Sequence, residues 1–116
     1  LFVKLLLLTV LQLHILFGVP VFSEVEEVKG EVVQYSVARF SEYGFKPPDK
    51  VVYVITISLK SKKKPVFMKK NQQFLRVFSK KPIPSWVFGK SVTLQIKFSG
   101  DERGGSYWLI KIKEVK

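Results

Sequence analysis

The chain has no cysteine and one histidine, His14. Without thiols there is no disulfide framework, no thiolate nucleophile and no cysteine-based zinc site. His14 lies in the apolar N-terminal stretch, so the rest of the chain can assemble neither a Ser-His-Asp or Cys-His site nor a histidine-ligated zinc. Acid is scarce as well, with 9 Asp plus Glu against 20 Lys plus Arg and a net charge of +11. No window carries a helical stripe, no internal repeat is visible, and no glycine motif suits the cradling of phosphate; Gly104-Gly105 fits a turn. A length of 116 residues allows one domain and excludes a multidomain enzyme. With 47% hydrophobic and 14% aromatic residues, the chain is too apolar for a disordered basic tail.

Residues 1–23 open with Lys4, continue as an apolar run over 5–17, and end with Gly18, Pro20 and small residues. This is the layout of a secretory signal. Val21 and Ser23 suit the −3 and −1 positions of a cleavage site, and Glu24, Glu26 and Glu27 follow directly. The expected division is a signal peptide over 1–23 and a domain over 24–116, exported to the periplasm, the cell envelope or the medium. A retained membrane anchor is the alternative, since the 18 residues of 5–22 fall within the roughly 17–25 of a span. Thr9, Gln12, His14 and Pro20 weaken that helix, and an internal core helix ranks last. Removing Lys4 and no acid leaves 93 residues with 19 basic and 9 acidic groups, net +10. So small a domain, lacking disulfides, needs a closed or well-covered sheet.

The remainder reads as strands. In residues 51–60, Tyr53, Ile55, Ile57 and Leu59 share one face, and Val54, Thr56, Ser58 and Lys60 the other. In 90–99, Val92, Leu94, Ile96 and Phe98 point inward while Ser91, Thr93, Gln95 and Lys97 point outward. A last strand over 107–115 follows a Gly-rich, charged segment suited to a hairpin loop, so these two strands are antiparallel neighbours. A shorter strand over 73–79 stops before Pro82 and Pro84, which no central strand accepts. Residues 25–40 form a long strand with a bulge or bend at Gly30, followed by a loop over 41–50.

Three segments carry a resemblance: Val28-Lys29-Gly30-Glu31-Val32, Phe88-Gly89-Lys90-Ser91-Val92, and Gly105-Ser106-Tyr107-Trp108-Leu109-Ile110-Lys111-Ile112-Lys113. With their strand order, residues 25–115 resemble the small prokaryotic OB-fold nucleic-acid-binding domains, and the export signal makes the chain similar in plan to periplasmic bacterial OB-fold proteins. The implied fold is all-β, a five-stranded, partly open barrel whose second and third strands form the binding face. The helix that many such domains place between strands three and four is reduced here to the Pro-rich segment 82–88. An SH3-like barrel and a five-stranded sandwich therefore stay open as alternatives.

Charge supplies the functional clue. Residues 46–97 hold twelve lysines and Arg76 against one acid, Asp49. A one-signed field attracts polyanions and speeds their capture. Lys60, Lys62, Lys63 and Lys64 stand where the strand over 51–60 ends, Lys69 and Lys70 follow, and Lys80 and Lys81 close the next strand. The competing reading is a solvated lysine-rich hairpin that blocks edge-to-edge pairing. Phe74, Arg76 and Phe78 alternate with Leu75 and Val77. If Leu75 and Val77 face the core, two rings flanking a guanidinium face outward and suit base stacking; otherwise the rings are core and Arg76 snorkels out. Tyr107, Leu109, Lys111 and Lys113 on the last strand are expected to extend the same surface, and Trp86 and Trp108 are expected to pack. Lysine outnumbers arginine 17 to 3, which favours phosphate contact over base reading. The expected function is a non-enzymatic binder of polyanions without cofactor or metal, with single-stranded nucleic acid first among its partners. The alternatives are an envelope-associated module for anionic polysaccharide, a lipid surface or an envelope partner, and thirdly a metal-dependent nuclease using Asp49, Asp101, Glu102 and Arg103.

Overall fold

The computed structural model describes residues 21–22, 25–59, 64–65, 68, 71–101 and 104–116, with the backbone alone at 21, 22 and 101. The described residues form six strands: β1 (Val21–Phe22), β2 (Glu26–Arg39), β3 (Val51–Leu59), β4 (Phe74–Ser79), β5 (Ser91–Asp101) and β6 (Gly104–Val115). Strands β2 to β6 form a closed five-stranded barrel compatible with an OB-like fold. β3 pairs antiparallel with β2 and β4, and β5 pairs antiparallel with β2 and β6. A parallel contact between β4 and β6 closes the ring through two residue pairs, Val77 with Tyr107 and Phe78 with Trp108. β1, within the segment read as a signal, pairs with β5 at Ser99 and Gly100. The expected cleavage position at Ser23 lies outside the described residues.

The period-two reading places the core. Ile55, Ile57, Leu75, Val77, Val92, Leu94, Ile96 and Phe98 are buried inside the barrel. One end is closed by the segment after β4, where Ile83 and Val87 turn inward around a 3-10 turn at Ser85–Val87. The Tyr35 hydroxyl donates a 2.6 Å hydrogen bond to the Ile83 carbonyl and ties that segment to β2.

β2 is long enough to serve two neighbours. Its first half pairs with β5 and its second with β3, and Gly30 pairs with both Val92 and Leu59. A Cβ at Gly30 would collide with the Ser58 carbonyl oxygen, so the residue is set by close backbone approach. Of the bulge or bend expected at Gly30, the bulge lies at Val33, where pairing jumps from Val32 to Gln34. One inserted residue reverses the phase: Val28 and Val32 point inward before it, and Tyr35 after it.

Two substitutions test these contacts. Gly30→Ala is expected to destabilise the barrel by about 1–3 kcal/mol, because the neighbour it strikes is backbone that cannot move aside. Tyr35→Phe is expected to cost about 1 kcal/mol by leaving the Ile83 carbonyl without its donor. Urea titration followed by circular dichroism measures both.

Candidate functional site

The outer side of β3 and β4 is not left to solvent. Val52, Val54 and Phe78 point outward there and are buried under the loop 40–50. That loop starts as a 3-10 turn at Phe40–Tyr43, and the residue before it is tied to the turn as Arg39 N–H donates to Glu42 Oε2 at 2.8 Å. Gly44 ends the turn at φ 76°, a left-handed conformation that a side chain would oppose. The reversal drops Phe45 onto the sheet, where the Phe45 amide donates to the Phe40 carbonyl at 2.9 Å. The Phe45 ring meets Phe78 at 5.1 Å, Trp108 at 5.0 Å, Phe40 at 5.7 Å and Tyr43 at 6.2 Å between centroids. These five rings make a second core on the outside of the barrel, with Tyr43, Phe45 and Trp108 still half-exposed.

Cations stand over the rim of this cluster. The Arg76 guanidinium is 5.6 Å from the Tyr43 ring, Lys80 Nζ 5.7 Å from Trp108, and Lys50 Nζ 5.9 Å from Phe40. These are cation–π distances, worth about 0.5–1 kcal/mol each at exposed sites. Neither β3 nor β4 carries an acid. Around the barrel the balance differs: the paired stretches 26–31, 91–96 and 109–115 carry Lys29, Lys111 and Lys113 together with Glu26, Glu27, Glu31 and Glu114. The net charge of that side is close to zero.

The predicted site residues separate accordingly. Lys60, Lys62, Lys63, Lys69 and Lys70 lie outside the described residues, and Lys64 is half-buried. Leu75 and Val77 do face the core, so Phe74 and Arg76 face outward, Phe74 with 53% of its surface exposed. Phe78 also points outward but is 5% exposed beneath Phe45 and Tyr43, and offers no face to a ligand. Lys80 and Lys81 are exposed, in a turn held by the Ser79 hydroxyl, which donates to the Lys81 carbonyl at 2.7 Å and accepts from its amide.

Tyr107 does not extend the surface: it lies in the core against Phe98, centroids 5.2 Å apart. Lys111 and Lys113 point the other way because β6 bulges at Ile110 and again at Lys113, each bulge shifting the alternation by one residue. Lys113 is bound to Glu27 at 3.4 Å on the near-neutral side. Trp108 packs as expected, whereas Trp86 is 61% exposed beside the exposed Phe88. Sequence reading missed Phe40, Tyr43 and Phe45; three rings within six residues around a glycine were the available signal.

A cleft of about 640 Å³ adjoins the cluster where β4 leaves β6, lined in part by Lys80, Lys81, Lys97 and Trp108. Among the described residues no group of acids or histidines could hold a metal, and no helix is long and apolar enough to cross a membrane. The acids of the nuclease alternative are not brought together for description, since Glu102, Arg103 and the Asp101 side chain lie outside the described residues. No protein-family model, curated protein or solved structure matches the chain.

Burial separates the two phenylalanines of β4 in a measurable way. Phe78→Ala is expected to destabilise the fold by about 3–5 kcal/mol by emptying the centre of the outer cluster. Phe74→Ala is expected to stay within about 0.5 kcal/mol of the parent. Equal thermal midpoints for the two variants would contradict the packing described.

Proposed function

We propose that this protein is an exported, non-enzymatic OB-like module that binds polyanions, with single-stranded nucleic acid as its first ligand and little preference for sequence. One observation carries the reading: an acid-free wall on β3 and β4 where rings and cations alternate, Phe74 and Arg76 on the strand, Tyr43 beneath the guanidinium, Lys80 over Trp108. Lysines neutralise phosphates as point charges, and an exposed ring accepts any base, since every base has a π-face. The strand order agrees with the architecture in which this face binds oligonucleotides.

An envelope-associated module for anionic glycan or lipid surface is the second reading. It draws on Trp86 and Phe88, both exposed on one short turn with Lys81 before it and Lys90 after it. Exposed aromatics beside lysine suit a lipid headgroup layer.

Fluorescence anisotropy with labelled oligothymidylate, duplex DNA and a sulfated glycan distinguishes them. Single strands are expected to bind tightest, with Phe74→Ala weakening them about 5- to 150-fold, the equivalent of one stacked base. The slope of log affinity against log salt is expected near about −3, from roughly four phosphates neutralised at about −0.7 each. Equal affinity for all three polyanions, unmoved by Phe74→Ala, would reduce the interaction to charge and favour the second reading.

A further inference from the structure

The segment that closes the end of the barrel carries two large rings that its packing does not use. Ile83 and Val87 are buried in the core, while Trp86 and Phe88, on either side of Val87, are each more than half exposed. The backbone between them is tied down along its length. The Tyr35 hydroxyl holds the Ile83 carbonyl, and the Val87 and Phe88 amides donate to the Pro84 and Ser85 carbonyls at 3.2 Å each. Gly89, at φ 80°, returns the chain to β2, where its amide donates to the Val32 carbonyl at 2.8 Å and the Lys90 carbonyl accepts from the Val32 amide at 2.9 Å. The exposure of both rings is therefore imposed by the fold, because the residues that anchor the turn are the ones between and before them.

Charge and area select the partner. Lys80 and Lys81 precede the turn and Lys90 follows it, all three exposed, and the sequence holds no acid from residue 50 to residue 100. Beyond Lys90, Ser91 is flanked by Glu31 across β2 and by Lys116, whose amide donates to the Ser91 carbonyl at 2.8 Å, so opposite charges balance there. Two aromatic side chains of about 150–250 Å² each, more than half exposed, offer on the order of 200–300 Å². That is far below the roughly 800 Å² per partner of a stable protein interface. A layer of anionic headgroups requires no such area, since aromatic rings settle at the boundary of water and hydrocarbon while lysines meet lipid phosphates. We propose that the turn carrying Trp86 and Phe88 is the element by which this protein docks on an anionic lipid surface, with both rings at headgroup depth and Lys81 and Lys90 against lipid phosphates. This rests on the lipid reading above and adds to it a defined docking element, separate from the wall of β3 and β4.

The test uses the full chain carrying Trp108→Phe, which leaves Trp86 as the only tryptophan. Its emission is followed during titration with vesicles of phosphatidylcholine alone and of phosphatidylcholine with phosphatidylglycerol, each also prepared with lipid brominated near the headgroup end of its chains. With the anionic vesicles Trp86 emission is expected to move to shorter wavelength and to be quenched by the brominated lipid, at a lipid concentration at least about tenfold lower than with the neutral vesicles. Quenching reports the position of Trp86 itself, so the apolar residues 5–17 do not mimic it by holding the chain to the vesicle. Sedimentation with the same vesicles is recorded in parallel. If the chain sediments with anionic vesicles while Trp86 stays unshifted and unquenched, the docking element is refuted and the lipid reading stands; if the chain does not sediment, both fall. Equal quenching by neutral vesicles overturns the role of the lysines. Should Trp108→Phe fail to fold, the difference in emission between the parent and Trp86→Phe supplies the same readout, since that substitution alters only an exposed ring.

Discussion

Two residue pairs close the barrel. Val77 and Phe78 of β4 meet Tyr107 and Trp108 of β6 in a parallel contact too short to hold by backbone hydrogen bonds alone. It holds because both sides of it are buried. Val77 and Tyr107 point into the main core, while Phe78 and Trp108 point out into the aromatic cluster capped by Phe45. Alternation along a strand guarantees that neighbouring residues face opposite ways, so a seam only two residues long can be packed on both faces only if a second core exists outside the barrel. The loop 40–50 supplies that core.

The same seam explains where the cations beside the aromatic cluster stand. Once Phe78 and Trp108 are fixed, the residues flanking them are fixed as well: Arg76 two positions earlier on β4, Lys80 two positions later, each over a ring of the cluster. A cation–π contact orients an ammonium or guanidinium group without neutralising it, so the charge stays on offer to an anion. The opposite side of the barrel is built differently, with Glu27 and Lys113 satisfying each other at 3.4 Å. A molecule of net charge +11 thus has a side with little net charge and a side with no acid on its strands, and such asymmetry orients the approach of a polyanion.

The strands were legible in the sequence because their cores obey period two. Ile55 and Ile57, and Val92 through Phe98, fall inward as alternation requires. Alternation failed at the bulges. A reading with a fixed period cannot register an inserted residue, so it moved the break in β2 from Val33 to Gly30 and placed Tyr107, Lys111 and Lys113 on one face of β6. Phe78 was legible in direction but not in burial, because what covers it comes from a loop far away in sequence whose rings show no periodicity at all. Trp86 went the other way: a large apolar ring was expected to pack, and the 3-10 turn instead directs Val87 into the core and leaves its neighbour outside.

Mapping an oligothymidylate onto the amide resonances of the isotopically labelled protein by titration is the most direct test of the central claim, that the face beside the seam, on strands that carry no acid, receives the anion. The account predicts that the largest shifts fall in residues 74–81, 97–99 and 107–110, with residues 26–31 and 112–116 nearly unmoved. Shifts centred on the glutamate-bearing side, or spread evenly around the barrel, would contradict it.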